Sequence, residues 1–154
     1  MRPSEKAIQA IKNRERCSLV SYRLPGEKHY TIGWGHYCDR TPALDHAGAR
    51  ITQSLADAFL IQDVEEKTSY LNAILKTEVS QNLYDALVST FYQYNPKNLY
   101  LRGIIQAINL GASASRVAKM LMALPSNKYN KKARKVDALL ATTGELHHID
   151  NIRV

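Results

Sequence analysis

The sequence predicts a mainly helical α+β fold in which a small antiparallel β-lobe, a long connecting helix and a helical lobe surround a cleft. Apolar residues recur at helical spacing in residues 5–15 and 52–142, whereas residues 19–37 are rich in β-branched and aromatic residues. The chain has 154 residues, of which 45% are hydrophobic, and it contains no internal repeat. We therefore expect one domain spanning residues 1–154, with a β-lobe at 16–50 and a helical lobe at 51–154 on which the first helix packs.

The first elements are a helix and a hairpin. Ser4 is a suitable N-cap, and the apolar pattern that follows predicts a helix ending near Arg14 or Glu15. Residues 19–22 and 29–34 are candidate strands, and the Pro-Gly pair in residues 24–28 is a turn signal between them.

The remaining elements are helices. Thr52 can cap a long amphipathic helix that reaches residue 75, and Ser80 can cap another that Pro96 closes. Shorter helices are predicted at residues 99–109, 113–123 and 131–142, where Gly111, Pro125 and Gly144 are the stop signals. We expect the His147-His148 pair that follows to belong to a tail.

The formal net charge is +7 and the sequence pI is about 9.5, which indicates an anionic partner. Nucleic acid, an acidic membrane surface and an anionic wall polymer all satisfy this condition. The dense basic stretch at residues 128–135 is either a solvated helix face or an anion-binding patch. No nucleic-acid reader motif is present, and no apolar run approaches the roughly 20 residues of a membrane span, so we expect neither nucleic-acid binding nor stable membrane insertion.

The N-terminal residues lack the apolar region of a signal peptide, so we expect residence in a cytoplasm until another agent releases the protein. Cys17 and Cys38 are then expected to be free thiols, because a reducing compartment disfavours a bridge. No metal-ligand spacing, P-loop, GxSxG or HExxH motif occurs. We expect no cofactor and no metal.

The candidate chemistry lies at the end of the first helix and in the hairpin. Glu15 and Glu27 are two carboxylates close in sequence to the hydroxyl of Thr31, and such groups are the parts needed for glycoside hydrolysis. A solvated charge is the alternative for each acid. Similarly, His36 is either a hydrogen-bonded structural histidine or a site residue, and Gly33 and Gly35 indicate a close backbone approach or a bulge.

Several motifs resemble those of the phage-type lysozymes, glycoside hydrolase family 24. Ile11-Lys12, Glu15, Leu19 and Tyr22 precede TIGWGH (residues 31–36), where the family has TIGYGH. Further on, Ile51-Thr52, Asp63 and SQNLYDALVS (residues 80–89) resemble family segments in the same order, and the match covers about residues 5–95. The resemblance implies a lysozyme-like fold and cleavage of the β-1,4 bond between N-acetylmuramic acid and N-acetylglucosamine in peptidoglycan.

The resemblance also implies roles for individual residues. Glu15 falls on the catalytic acid and Thr31 on the threonine that positions water, whereas Leu24 occupies the place of the usual Asp. Glu27, in EKHYTIGWGHY, is then the best substitute carboxylate and Asp39 the second choice. Gln93, Asp39, Tyr22 and His36 are the expected substrate-binding residues.

Two departures from the family pattern leave other functions open. Arg16 stands where glycine normally follows the catalytic Glu, and past residue 95 the resemblance weakens, with the family's late Trp absent. A lytic transglycosylase needs only one acid, and a catalytically impaired wall-binding virion module needs none. In every case peptidoglycan is the expected partner. A protein carried in the phage particle would also contact virion components, whereas a free protein is expected to be a monomer. The expected location is the host cytoplasm before release to the wall, or the virion.

Overall fold

The computed structural model describes residues 1–154 and contains six α-helices and one three-stranded antiparallel sheet in the order β1-β2-β3. The helices are α1 (Glu5–Glu15), α2 (Gln53–Ile74), α3 (Gln81–Gln93), α4 (Leu99–Asn109), α5 (Ala114–Met122) and α6 (Lys128–Thr143). The strands are β1 (Ser18–Tyr22), β2 (Thr31–Gly33) and β3 (His36–Tyr37). The predicted class, mainly helical α+β with a small antiparallel sheet, is confirmed.

The helix starts follow their capping residues. Thr52 and Ser80, the predicted caps, each accept a hydrogen bond from a backbone N–H of the first turn of α2 and α3, and Ser113 does the same for α5. Helix α6 begins three residues earlier than expected because the side chain of Asn127 caps it by accepting from the N–H of Asn130. Gly144 ends α6 in the left-handed conformation at φ 73°.

The predicted hairpin is a three-stranded sheet, because the second candidate strand turns back on itself. Gly33 and Gly35 have φ of 66° and 81°, so the chain reverses between them. Residues Thr31 and Ile32 then pair with Tyr37 and His36 of β3. The sequence signal of two nearby glycines therefore marked a turn and a further strand.

The chain divides into two compact units, the first of which is Glu15–Glu65. This β-unit contains the sheet, two short 3-10 turns (Cys38–Arg40 and Pro42–Leu44) and the first part of α2. Its core consists of buried Ile32, Cys38 and Ala49, with Phe59 and other partly buried side chains packed against them. Both Cys17 and Cys38 are free thiols, as expected.

The second unit, Met1–Arg14 with Glu66–Val154, is helical. Its first residues are tied to the rest of the unit, since the carbonyl of Met1 accepts from Tyr84 and Asn72. The expected tail instead forms a 3-10 turn (Ile149–Asn151), and Ile149 and Ile152 are buried against Ala133 and Val136 of α6. The single-domain assignment and the predicted lobe boundaries stay predictions. None of the helices has the length and apolar character that crossing a membrane requires.

Candidate active site

Glu15 is the last residue of α1 and is half-buried. Arg16, which follows it, has φ 58° and is the only non-glycine residue in the left-handed region. This conformation ends the helix and directs the chain into β1. The position therefore favours glycine for conformational reasons, and the arginine side chain that occupies it is exposed.

The turn between β2 and β3 packs directly on the carboxyl group of Glu15. A Cβ atom placed on Gly35 would lie 2.5 Å from Oε1 of Glu15 and 3.1 Å from its carboxyl carbon. No side chain can be accommodated in that space without displacing the carboxylate. The second glycine of TIGWGH thus sets how closely the backbone approaches Glu15.

Tyr22 is related to three of the predicted site residues, one by strand pairing and two by their charge. Its Cα is the pairing partner of Thr31 across β1 and β2. Burial raises the pKa of the Tyr22 phenol, and the negative charges of Glu15 and Glu27 raise it further. Glu15 and Glu27 therefore both act on the charge of the Tyr22 phenol, and Thr31 is the cross-strand neighbour of the same residue.

The remaining acid candidate, Asp39, and the usual position of the family Asp both lie in other surroundings. Asp39 is exposed in the turn Cys38–Arg40, and its charge acts on Cys38, whose thiol pKa is raised mainly by burial. Leu24, at the place of the usual family Asp, is 59% exposed. Glu27 rather than Asp39 shares the surroundings of Tyr22 with Glu15, which favours the first of the two substitutes.

His36 is buried, and both of its ring nitrogens have partners. Nδ1 lies 2.8 Å from the carboxylate of Asp63 on α2, and Nε2 lies 3.2 Å from the hydroxyl of Thr41. The ring also stacks on Phe59 with centroids 4.2 Å apart. These contacts favour the structural role that the sequence left open, since the imidazole joins β3 to α2.

Further side chains that the sequence did not single out hold the β2–β3 turn. The indole N–H of Trp34 donates to Asp57 at 2.8 Å, and the amide of Gln53 donates to the same oxygen at 3.0 Å. Gln53 also lies 3.7 Å from Sγ of Cys17. Gln53 and Asp57 lie one turn apart on α2, and this spacing could have predicted the hydrogen bond between them. Nothing in the sequence indicated that Trp34 also binds Asp57.

A second brace holds the start of β2. Asp45 accepts a hydrogen bond from the backbone N–H of Tyr30 at 2.8 Å, and its other oxygen lies 2.6 Å from Nδ1 of His29. The bond to His29 is the main reason why the pKa of the Asp45 carboxyl is lowered, and the bond from Tyr30 adds to it. Asp45 therefore anchors the residues that lead into Thr31.

Gln93 ends α3 in the helical unit, and both ends of its amide are engaged there. Its nitrogen donates to Asn130 at 2.8 Å, and its oxygen accepts from the guanidinium of Arg134 at 2.9 Å. Arg134 is fully buried and pairs with Asp137 at 3.0 Å. The amide orientation of Gln93 is therefore fixed, and one N–H and one lone pair remain for a ligand. No set of three or more His, Cys, Asp or Glu side chains is arranged to hold a metal ion.

Comparison with known proteins identifies the family. The phage lysozyme family model matches residues 12–145. The endolysin of Bacillus phage PZA is 35% identical over 138 residues, which are 88% of this chain and 49% of the relative, so the chain spans about half the length of that relative. The endolysin of Acyrthosiphon pisum secondary endosymbiont phage 1 is 31% identical over 121 residues, 79% of each chain.

The fold has a close counterpart among solved structures. An endolysin from Escherichia coli O157:H7 phage FAHEc1 superposes with a TM-score of 0.83 at 24% identity, covering 96% of this chain and 97% of that one. This likeness establishes the lysozyme fold. Together with the family match and the endolysin relatives, it shows that the chain belongs to the phage lysozyme family.

Proposed function

We propose that the protein is a muramidase that hydrolyses the β-1,4 bond between N-acetylmuramic acid and N-acetylglucosamine in peptidoglycan, in phage-type lysis of the host or penetration of its wall. The observation that carries the proposal is the close approach of the Gly35 backbone to the carboxyl group of Glu15, at the turn that follows Thr31 and the rest of β2. Thr31 also pairs across the sheet with Tyr22, whose phenol both Glu15 and Glu27 influence. The family membership and the endolysin relatives support the same substrate class.

In the proposed mechanism Glu15 is the general acid that protonates the leaving glycosidic oxygen. Thr31 positions the water molecule, and Glu27 is the second carboxylate that assists attack or stabilises the cationic sugar. Tyr22 serves as a hydrogen-bond donor to the substrate, since a phenol is protonated at neutral pH and the surroundings of Tyr22 raise its pKa rather than lower it. Gln93 binds the sugar through the amide hydrogen-bonding capacity that Asn130 and Arg134 leave unused.

Release of reducing sugar from purified peptidoglycan tests the role of Glu15. Glu15→Gln keeps the shape of the side chain and removes the acid, so we expect the rate to fall by roughly 10²- to 10⁴-fold. Glu78→Gln is the matched control, since Glu78 is exposed between α2 and α3 and should leave the rate unchanged. Full activity in Glu15→Gln would refute the assignment.

A lytic transglycosylase is the second candidate, because the exposed Leu24 leaves the usual Asp position without a carboxylate. Mass spectrometry of the digested peptidoglycan distinguishes the two reactions. Hydrolysis gives a reducing muramic acid end, whereas transglycosylation gives an anhydro sugar. Comparison of Glu27→Gln with Asp39→Asn then decides the second carboxylate, and we expect only the first variant to be slow.

A further inference from the structure

Only one of the two units has a net positive charge. The β-unit Glu15–Glu65, which holds the candidate catalytic acid, carries five basic and seven acidic residues. The whole chain carries 21 basic and 14 acidic residues. The β-unit, in which Glu15 lies, therefore has a formal net negative charge, and the net positive charge of the chain comes from the helical unit.

Within the helical unit the charge is concentrated on the last helices. Residues 99–143, which form α4, α5 and α6, contain eight basic residues and a single acid, Asp137. Asp137 is fully buried and paired with Arg134, which is fully buried as well. The other seven basic residues therefore share these helices with no exposed acidic residue.

Four of these cations form a continuous stripe along α6. Lys128, Lys131, Lys132 and Lys135, named here the lysine stripe, follow i, i+3, i+4, i+7 spacing and occupy an arc of about 100°. The buried residues of α6, among them Val136, Leu140 and Ala141, occupy the opposite side. From the sequence alone, the basic stretch was either a solvated helix face or an anion-binding patch. In the fold Arg134 is buried, Lys128 and Lys131 are exposed, and Lys132 and Lys135 are partly exposed.

The stripe is not explained by the stability of the helix. Lys135 donates to the carbonyl of Arg153, but the ammonium groups of Lys128, Lys131 and Lys132 have no hydrogen bond or ion pair. Cations in the first turns of a helix are repelled by its dipole, and like charges one turn apart repel one another. The first turn of α6 contains no acid that would offset this cost.

We propose that the lysine stripe binds a linear phosphodiester polymer of the bacterial wall, of the polyol phosphate class, and so retains the enzyme on the wall independently of the catalytic site. Lys128, the pair Lys131 and Lys132, and Lys135 follow one another at about one helical turn along α6, so a flexible strand with one phosphate per short repeat can place successive phosphates against successive lysines. A membrane surface is a less suitable partner, because the apolar side chains of α6 are buried in the protein core and are not available to insert into lipid.

Calorimetric titration with poly(glycerol phosphate) tests the proposal. With three phosphates neutralised, we expect wild-type affinity to fall by roughly twentyfold between about 50 and 200 mM salt, because each contact releases counterions. The triple variant Lys128→Gln, Lys131→Gln, Lys132→Gln should bind at least about tenfold more weakly at the lower salt and lose this dependence. Its Tm should be equal to or higher than that of the wild type, since the repulsion is removed.

The matched control is the triple variant Arg2→Gln, Lys76→Gln, Lys97→Gln, which removes the same charge from exposed positions outside α6. It should bind the polymer nearly as well as the wild type. An equal loss in both variants would overturn the proposal in favour of diffuse charge. Tighter binding to phosphatidylglycerol vesicles or to duplex DNA than to the polymer, at equal phosphate concentration, would also overturn it.

The rate of sugar release, measured on two substrates, distinguishes the failure of this proposal from the failure of the proposed catalytic function. On peptidoglycan stripped of anionic polymer, the stripe variant should release sugar at the wild-type rate, whereas on intact walls it should be slower. A slow rate on the stripped substrate would assign the lysines to the catalytic machinery and contradict a separate wall-binding surface. Failure of Glu15→Gln to lose activity would leave the polymer titration unaffected.

Discussion

At the scale of single residues, the backbone around Glu15 is determined by two left-handed positions, Arg16 and Gly35. Gly35 adopts this conformation without strain because glycine has no Cβ atom, whereas Arg16 is a residue type that rarely adopts it. The carboxyl group lies against the glycine, so the geometry of the candidate acid depends on the absence of a Cβ atom. Local backbone conformation is therefore part of the candidate site.

Gly35→Ala should damage both folding and activity. Its Cβ would lie 2.5 Å from Oε1 of Glu15, so the carboxylate or the turn must move, and we expect roughly 100-fold lower release of reducing sugar. Gly26→Ala is the control, because Gly26 has φ 84° but no atom within 4 Å of the added Cβ. It should cost about 1 kcal/mol of unfolding free energy through backbone strain alone, with activity retained. Equal activity of the two variants would contradict the close approach.

Arg16→Gly should relieve the strain at the other position. Comparison with Arg16→Ala isolates the backbone effect, because both variants lose the side chain and only the glycine accepts φ 58° without strain. We expect Arg16→Gly to be more stable than Arg16→Ala by about 1 kcal/mol in urea denaturation. If Arg16→Ala proved equally stable, the left-handed backbone would not be a source of strain.

The sequence proposed the residues of the candidate site one by one, and those roles stay predictions, but it did not indicate the contacts that hold these residues. Glu15, Glu27 and Thr31 came from motif spacing; in the fold both carboxylates act on the phenol of Tyr22, and Thr31 pairs with Tyr22 across the sheet. The bond between Trp34 and Asp57 joins residues 23 positions apart, and a local pattern contains no information about such a pair. Likewise, both nitrogens of His36 are engaged by residues that only the folded chain brings close.

At the scale of elements, the helices were predictable and the third strand was not. Helices α2, α3 and α5 start at Thr52, Ser80 and Ser113 because caps and apolar periodicity act within a few residues. Strand β3 has only two residues, His36 and Tyr37, and exists because a reversal at two glycines offers it a partner. A strand of that length has no periodicity of its own to detect.

The brace at Asp45 makes the β-unit sensitive to acid. Because the pKa of Asp45 is lowered from its ordinary value of 3.8, its contribution to stability is fully present above that value and is lost as the pH falls through the folded value. Wild type should therefore be more stable than Asp45→Asn at pH 7, and the difference should vanish at the acid end of a pH series of urea denaturation curves. His29→Ala should shrink the difference, since His29 is the main partner. A difference that stayed constant with pH would refute the linkage.

At the scale of the whole molecule, the helical unit is assembled from the two ends of the chain. Residues Met1–Arg14 join Glu66–Val154, and residues 15–65 intervene as the β-unit. Buried Ala7, Ala10 and Ile11 of α1 contribute to the core. The family-like segment SQNLYDALVS contributes Asp85, which accepts a hydrogen bond from Ser4, the residue that precedes α1. That motif therefore has a structural use within this unit.

Asp85→Ala should loosen the first helix from its unit. Asp85 is fully buried and accepts from the N–H and hydroxyl of Ser4, 81 positions away, and from Gln81 at 2.9 Å. Removing a carboxylate that satisfies three donors should cost about 3 kcal/mol in urea denaturation and make the N-terminal segment more susceptible to limited proteolysis. Gln81→Ala, which removes one donor, should cost about 1 kcal/mol. Because α1 ends in Glu15, a loosened helix should also lower the rate of sugar release before global unfolding occurs. Wild-type proteolysis together with wild-type activity in Asp85→Ala would contradict this role and show that the other contacts of α1, such as those of Lys6 with Gly144 and of Arg14 with Ser89, are sufficient.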